Sequence, residues 1–88
     1  MVGINENSDA DLIQINPNPN NGTFSIDISG LGNISNYYIL DMAGRKTAFN
    51  KVVNQSIISF DIENNQKGIY FLQLITDKKS YSKKFIIK

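Results

Sequence analysis

The sequence predicts an all-β fold: an antiparallel, immunoglobulin-like β-sandwich of about seven short strands. Three observations predict it. Several segments alternate apolar and polar side chains with a period of two, turn signals rich in Gly, Asn and Asp separate them, and no stretch repeats with helical spacing. The chain has neither cysteine nor tryptophan, so the Cys, Trp and Cys of antibody domains are absent and the fold class rests on strand patterning alone.

Residues 1–11 contain the run "NENSDAD", polar and acidic without periodicity, which reads as a linker or cloning remnant; the folded domain is placed at 12–88. Leu12, Ile13 and Ile15 form a candidate first strand. It must stop at "NPNPN", because Pro17 and Pro19 each fix φ near −65° and lack an N–H, while Asn16 and Asn18 are driven extended as residues preceding proline. "TFSIDI" then alternates, with Phe24, Ile26 and Ile28 facing one way and Thr23, Ser25 and Asp27 the other. After the glycines of "SGLGN", "YYILDM" is apolar on both faces, which predicts a strand central in its sheet.

"DMAGRK" has the composition of a type I turn, with Asp41 at its first position and Gly44 at its fourth, and a hairpin into "TAFNKVV" is expected. "SIISFDI" alternates with Ile58, Phe60 and Ile62 inward. "IYFLQLIT" is the longest apolar run and again predicts a central strand, Tyr70, Leu72 and Leu74 on one face, Ile69, Phe71 and Ile75 on the other. The last segment, "YSKKFIIK", carries lysines suited to a sheet edge, where charge discourages stray pairing.

Eighty-eight residues allow one domain with an economical core, and 41% hydrophobic against 19% charged residues is the balance of a chain that folds. Without cysteine there is no disulfide framework and no thiolate metal site. No segment approaches the roughly 20 apolar residues of a membrane helix, and the N-terminus lacks the layout of a secretory signal. The expectation is therefore a cytoplasmic protein or a piece of a longer exported chain, not inserted in a membrane. A net charge of +1 gives no support for nucleic acid, yet five of the nine basic residues (Lys78, Lys79, Lys83, Lys84 and Lys88) fall in the last segment.

Catalytic chemistry finds little footing. The chain has no histidine, and no Ser or Thr stands at a recognisable spacing from a base. Asp61 and Glu63 lie two apart on one strand face, pointing away from the Ile58, Phe60 and Ile62 core beside a loop, as a solvated pair would, and no catalytic residue, cofactor or metal ligand is assigned. Asp9 and Asp11 make a D-x-D fragment, but the glycine and closing glutamate of a calcium loop do not follow. The triplets beginning at Asn21, Asn33 and Asn54 match the glycosylation sequon, as an Asn- and Ser-rich chain does by chance. No phosphate-binding glycine pattern occurs. Tyr37, Tyr38, Phe49, Phe71 and Tyr81 are candidate carbohydrate platforms, against the plainer role of strand packing. The lysine pairs attract an anionic partner or simply keep an edge strand soluble.

"NPNPNNGTFSI", "YYILDMAGRK" and "GIYFLQLITDKKSYSKKFIIK" occur in one family's order and spacing. Over Ile15 to Lys88 the chain resembles the type A C-terminal sorting domains of the type IX (Por) secretion system of Bacteroidetes. Pro17, Asn18 and Pro19, with Gly22 close behind, match the family's opening corner; Asp41, Gly44 and Arg45 match its D-x-x-G-R turn; Gly68, Ile69 and Tyr70 match its G-I-Y strand start. Lys83, Lys84, Phe85, Ile86, Ile87 and Lys88 match its closing K-K-apolar-K segment. Asn16 stands where the family often has an aromatic residue, and Asn65 where it usually has an apolar one.

The resemblance implies a targeting module, not an enzyme. It implies a precursor with an N-terminal cargo domain that passes through the periplasm, meets outer-membrane translocon and shuttle proteins, and reaches the cell surface or medium, usually with removal of this domain by a sortase-like peptidase. Translocon recognition is expected at Lys78, Lys79, Lys83, Lys84, Phe85, Ile86, Ile87 and Lys88, with the corner and turn motifs structural. The alternative is a cell-surface carbohydrate-binding or adhesive immunoglobulin-like module of a secreted hydrolase.

Overall fold

The computed structural model describes residues 13–63 and 66–88. Leu12, the acidic 1–11 segment with its D-x-D fragment, and Asn65 lie outside the described residues. Six strands are present: β1 (Thr23–Asp27), β2 (Ile34–Leu40), β3 (Phe49–Asn54), β4 (Ile57–Ile62), β5 (Gly68–Thr76) and β6 (Ser80–Ile87). They form two antiparallel three-stranded sheets, ordered β1-β4-β3 and β2-β5-β6. The all-β class is as the sequence predicts. The candidate first strand is not formed: Ile13 and Ile15 are buried, but the chain there makes only an isolated bridge, Asn16 to Ser25.

Alternation is what lets one core serve both sheets. Register places Phe24 opposite Phe60 and Ile26 opposite Ile58 in the first sheet, and Leu72 opposite both Ile39 and Lys83 in the second. The apolar side chains meet in a single cluster in which Phe24 stacks on Phe60 at 5.1 Å between centroids and reaches Phe85 of the other sheet at 4.7 Å. Rings at these separations gain pairwise attraction beyond the area they bury.

Two expectations are corrected. β2 is an edge strand, not a central one, and Ile39 is its one fully buried residue. Its second apolar face, Tyr38 and Leu40, lies on the outside of the sheet, so the two-faced pattern marks an exposed apolar surface and not a covered one. The hairpin expected after "DMAGRK" closes only one bridge, Leu40 to Lys46. The chain then leaves for the other sheet, where β3 pairs with β4 through a two-residue turn whose Gln55 has φ 57°. β5 is central, as predicted.

Phe60 is 1% exposed and touches the rings of Phe24, Tyr37 and Phe49. Phe60→Ala is expected to cost about 3–5 kcal/mol in urea unfolding, a large part of the stability of a domain this small, whereas Ile57→Ala on the exposed face should change it by about 0.5 kcal/mol or less.

Candidate functional site

β6 is an edge strand, and the corner that opens the domain runs alongside its end. Asn20 N–H donates to the Ile86 carbonyl (3.0 Å), Lys88 N–H donates to the Asn20 carbonyl (2.8 Å), and Ile86 N–H donates to Asn18 Oδ1 (3.1 Å). Four residues earlier, Asn16 exchanges both backbone hydrogen bonds with Ser25 of β1, at 3.0 and 2.8 Å. The five residues "NPNPN" thus pair with an edge of each sheet and strap the sandwich shut on one side. Proline suits the span between, since neither Pro17 nor Pro19 has an N–H to satisfy.

Asn20 is the buried polar residue that holds this strap, at 6% exposure. Besides its two backbone bonds, its Nδ2 donates to the Pro17 carbonyl (3.0 Å) and its Oδ1 accepts from Gly22 N–H (2.8 Å). Gly22, at φ 106°, takes a conformation that favours glycine and accepts from Ile62 N–H of β4 at 2.9 Å. Sequence reasoning missed Asn20. The available signal was its place between a proline and an Asn-Gly pair, where a side chain that both donates and accepts can satisfy a turn from inside.

The expected recognition residues divide by strand parity. Phe85 and Ile87 point into the core with at most 2% of their surface exposed, while Lys84 and Ile86 face outward. Lys83 is half-buried opposite Leu72, and Lys88 is exposed. Lys78 and Lys79 sit in the β5–β6 turn, which Thr76 organises: its Oγ1 accepts from both their N–H groups and donates to the Lys79 carbonyl. The Lys79 ammonium lies 5.6 Å from the centroid of the Tyr81 ring. Since edge groups alternate in and out along an antiparallel pair, Ser82 and Lys84 present outward N–H and C=O groups beyond the strap, with no backbone partner among the described residues.

The other two motifs meet at one end of the β2-β5-β6 sheet. Asp41, Met42, Ala43 and Arg45 line a cavity of about 230 Å³ together with Gln66 and Lys67 and the Gly68-Ile69-Tyr70 strand start. Asp41 closes its turn by accepting from Ala43 N–H (2.9 Å) and Arg45 N–H (3.0 Å) on Oδ1 and from Arg45 Nε (3.2 Å) on Oδ2. The Arg45 backbone bond, helped by that of Ala43 and by the guanidinium, holds the Asp41 carboxyl below its usual range. Gly44 supplies the positive φ, 85°. Tyr70 Oη donates to the Gln66 carbonyl (2.7 Å) and accepts from Gln66 N–H (3.1 Å), pinning the loop ahead of β5. A second open cavity, about 450 Å³, lies at the sheet's other end beside Lys78 and Lys79.

Asp61 accepts from Thr23 Oγ1 and Glu63 from Asn50 Nδ2, so the two carboxylates are engaged separately. Among the described residues no group of His, Cys, Asp or Glu could hold a metal ion. The candidate carbohydrate platforms are dispersed: Tyr81 is buried, Tyr37 and Phe49 pack against the core, and Tyr38 and Phe71 lie on the outside of the second sheet. Two clasped sheets with a basic strand at an open edge form a compact β module.

A family model described as the secretion system C-terminal sorting domain matches residues 14–88, and the chain belongs to that family. It is a C-terminal sorting signal of type IX secretion, a non-catalytic domain type whose role implies engagement with the secretion machinery and export to the cell surface or medium. No curated protein and no solved structure matches the chain.

Asn20→Ala strands the buried Gly22 N–H and removes the partner of the partly buried Pro17 carbonyl, and is expected to cost about 1–3 kcal/mol in urea unfolding. Amide exchange at Lys88 should quicken with it. Because the Asp41 carboxyl is held low in the fold, its turn contributes stability that is fully present above the unfolded pKa of about 3.9 and is lost as pH falls through the lower folded value. The destabilisation caused by Asp41→Asn, followed by thermal melts from pH 7 down to pH 2, should therefore shrink as the medium becomes acid.

Proposed function

We propose that this domain sits behind a cargo domain in a longer precursor, crosses the periplasm with it, and is read at the outer membrane by translocon and shuttle proteins through the outer edge of β6. The observation that carries this mechanism is the placement of Lys84 and the open Ser82 and Lys84 backbone on an edge strand, next to the lysine-bearing β5–β6 turn. Strand addition along that short edge would supply backbone hydrogen bonds, and the ammonium groups would steer an acidic partner toward it. Because the strap already engages Ile86 and Lys88, recognition by pairing is confined to the first half of the strand. Phe85 and Ile87 contribute by holding β6 on the core and not by contact. A sortase-like peptidase then removes the domain, with cleavage in the polar 1–11 segment.

The test attaches the chain to a periplasm-directed reporter in a bacterium that possesses type IX secretion. The reporter is expected outside the cell, and retention in the periplasm would refute sorting. Removing β6 outright takes Tyr81, Phe85 and Ile87 from the core, so the edge is examined with Ser82→Pro and with Lys78, Lys79, Lys83 and Lys84 changed to Gln. Each is expected to lower export about tenfold; export equal to that of the parent chain would remove the edge mechanism and leave sorting intact.

A further inference from the structure

The two sheets differ on their outer faces. The outside of β1-β4-β3 is mostly polar, with Ser25 against Ser59 and Thr23 bonded to Asp61, and Val52 and Ile57 are its two large apolar residues. By register, the outside of β2-β5-β6 carries Tyr38, Leu40, Ile69, Phe71, Ile75 and Ile86, none of which belongs to the core cluster, interrupted by Gln73 between Phe71 and Ile75 and by Ser82 and Lys84 on β6. Phe71 lies at its centre, on the middle strand, with Leu40 on one side and Lys84 on the other.

Charge is divided in the same way. Residues 34–46 and 66–88, which build the second sheet and its turns, contain eight basic residues and two acidic ones; residues 23–27 and 49–63 contain one basic and three acidic. Of the two acidic residues on the second sheet, Asp41 is already bound by Arg45, and Asp77 lies in the β5–β6 turn. Lys46 sits over the Tyr38 ring at 4.3 Å, and Arg45 projects at the cavity end with 81% of its side chain exposed.

Resting on the sorting role proposed above, we propose that the outer face of β2-β5-β6 is a docking surface, separate from the β6 edge, for a folded protein whose contact patch has an apolar centre framed by carboxylates. An apolar sheet face with an aromatic residue at its centre has the make-up of an interface core, and its basic surroundings match an acidic rim. A bilayer suits it less. Five of the six side chains are half-buried, and Ile86, at 41%, is the most exposed of them. Membrane-surface segments instead bury apolar side chains several ångströms deep.

The reporter fusion tests this with two paired changes at the face that leave the β6 edge lysines in place, Phe71→Thr with Ile86→Thr and Lys46→Glu with Lys67→Glu, and with Val52→Thr plus Ile57→Thr on the opposite sheet as the control. Each face pair is expected to cut export about tenfold or more while the melting temperature of the purified chain stays within about 5 °C, and the control pair should export normally. If the Thr pair melts lower than that, the charge-reversed pair decides, since its side chains leave the core untouched. Normal export of the deciding pair overturns the docking face and leaves the sorting role standing; failure of the unaltered fusion to leave the periplasm overturns both. Two measurements address other occupants. Cosedimentation of the purified chain with phosphatidylcholine–phosphatidylglycerol vesicles, abolished by Phe71→Thr with Ile86→Thr, would assign the face to lipid and overturn a protein partner. A dimer in sedimentation velocity that the same pair dissolves would overturn it in favour of a second copy of this chain.

Discussion

Asn20 commits its backbone N–H, its backbone carbonyl, its amide nitrogen and its amide oxygen to four different partners, and on this depends the closure of the sandwich along one side. A small domain made of two three-stranded sheets has a high proportion of edge strands, each offering unpaired backbone groups to water or to other chains. The strap from Asn16 to Asn20 engages one edge of each sheet with a single short segment. On the far side, Thr47 N–H donates to the Ile39 carbonyl (2.7 Å), and the chain crosses between sheets in a similar manner. The core then needs only enough apolar surface to hold the sheets face to face, which the Phe24, Phe60 and Phe85 rings provide at modest chain length.

This arrangement also governs what β6 can present. Its inner residues are fixed by packing and its last backbone groups by the strap, so the outward backbone groups left open lie in its first half. The motifs that looked like separate signatures in the chain serve one mechanical end: the corner fastens β6, the Asp41 turn ends β2, and the Gly68 to Tyr70 start anchors the central strand against which both are paired.

Much of the fold was legible because a period of two leaves little ambiguity. Phe24 and Ile26, Ile58 to Ile62, and Tyr70 to Leu74 face the core as their alternation requires. The position of β2 was not legible, since apolar residues on both faces say nothing about whether strands pair along both of its edges; β2 pairs only with β5, and Tyr38 and Leu40 lie on the sheet's outer face. Nor could the sequence give the partner of "NPNPN", because its hydrogen bonds reach Ser25 nearby but Ile86 and Lys88 at the other end of the chain, and such pairing leaves no periodic trace. The lysines of the last strand were visible as composition, whereas the division between buried Phe85 and Ile87 and outward Lys84 and Ile86 needed the strand's orientation.

The bridge between Asn20 and Ile87 runs parallel, unlike the antiparallel ladders that make up the sheets. A pull that separates Asn16 from Lys88 acts along this parallel seam, so its three hydrogen bonds share the load in shear and must yield together. Opened like a zipper, the same bonds would break singly and at lower force. The direction in which the chain is tugged therefore decides how stubbornly it keeps its shape.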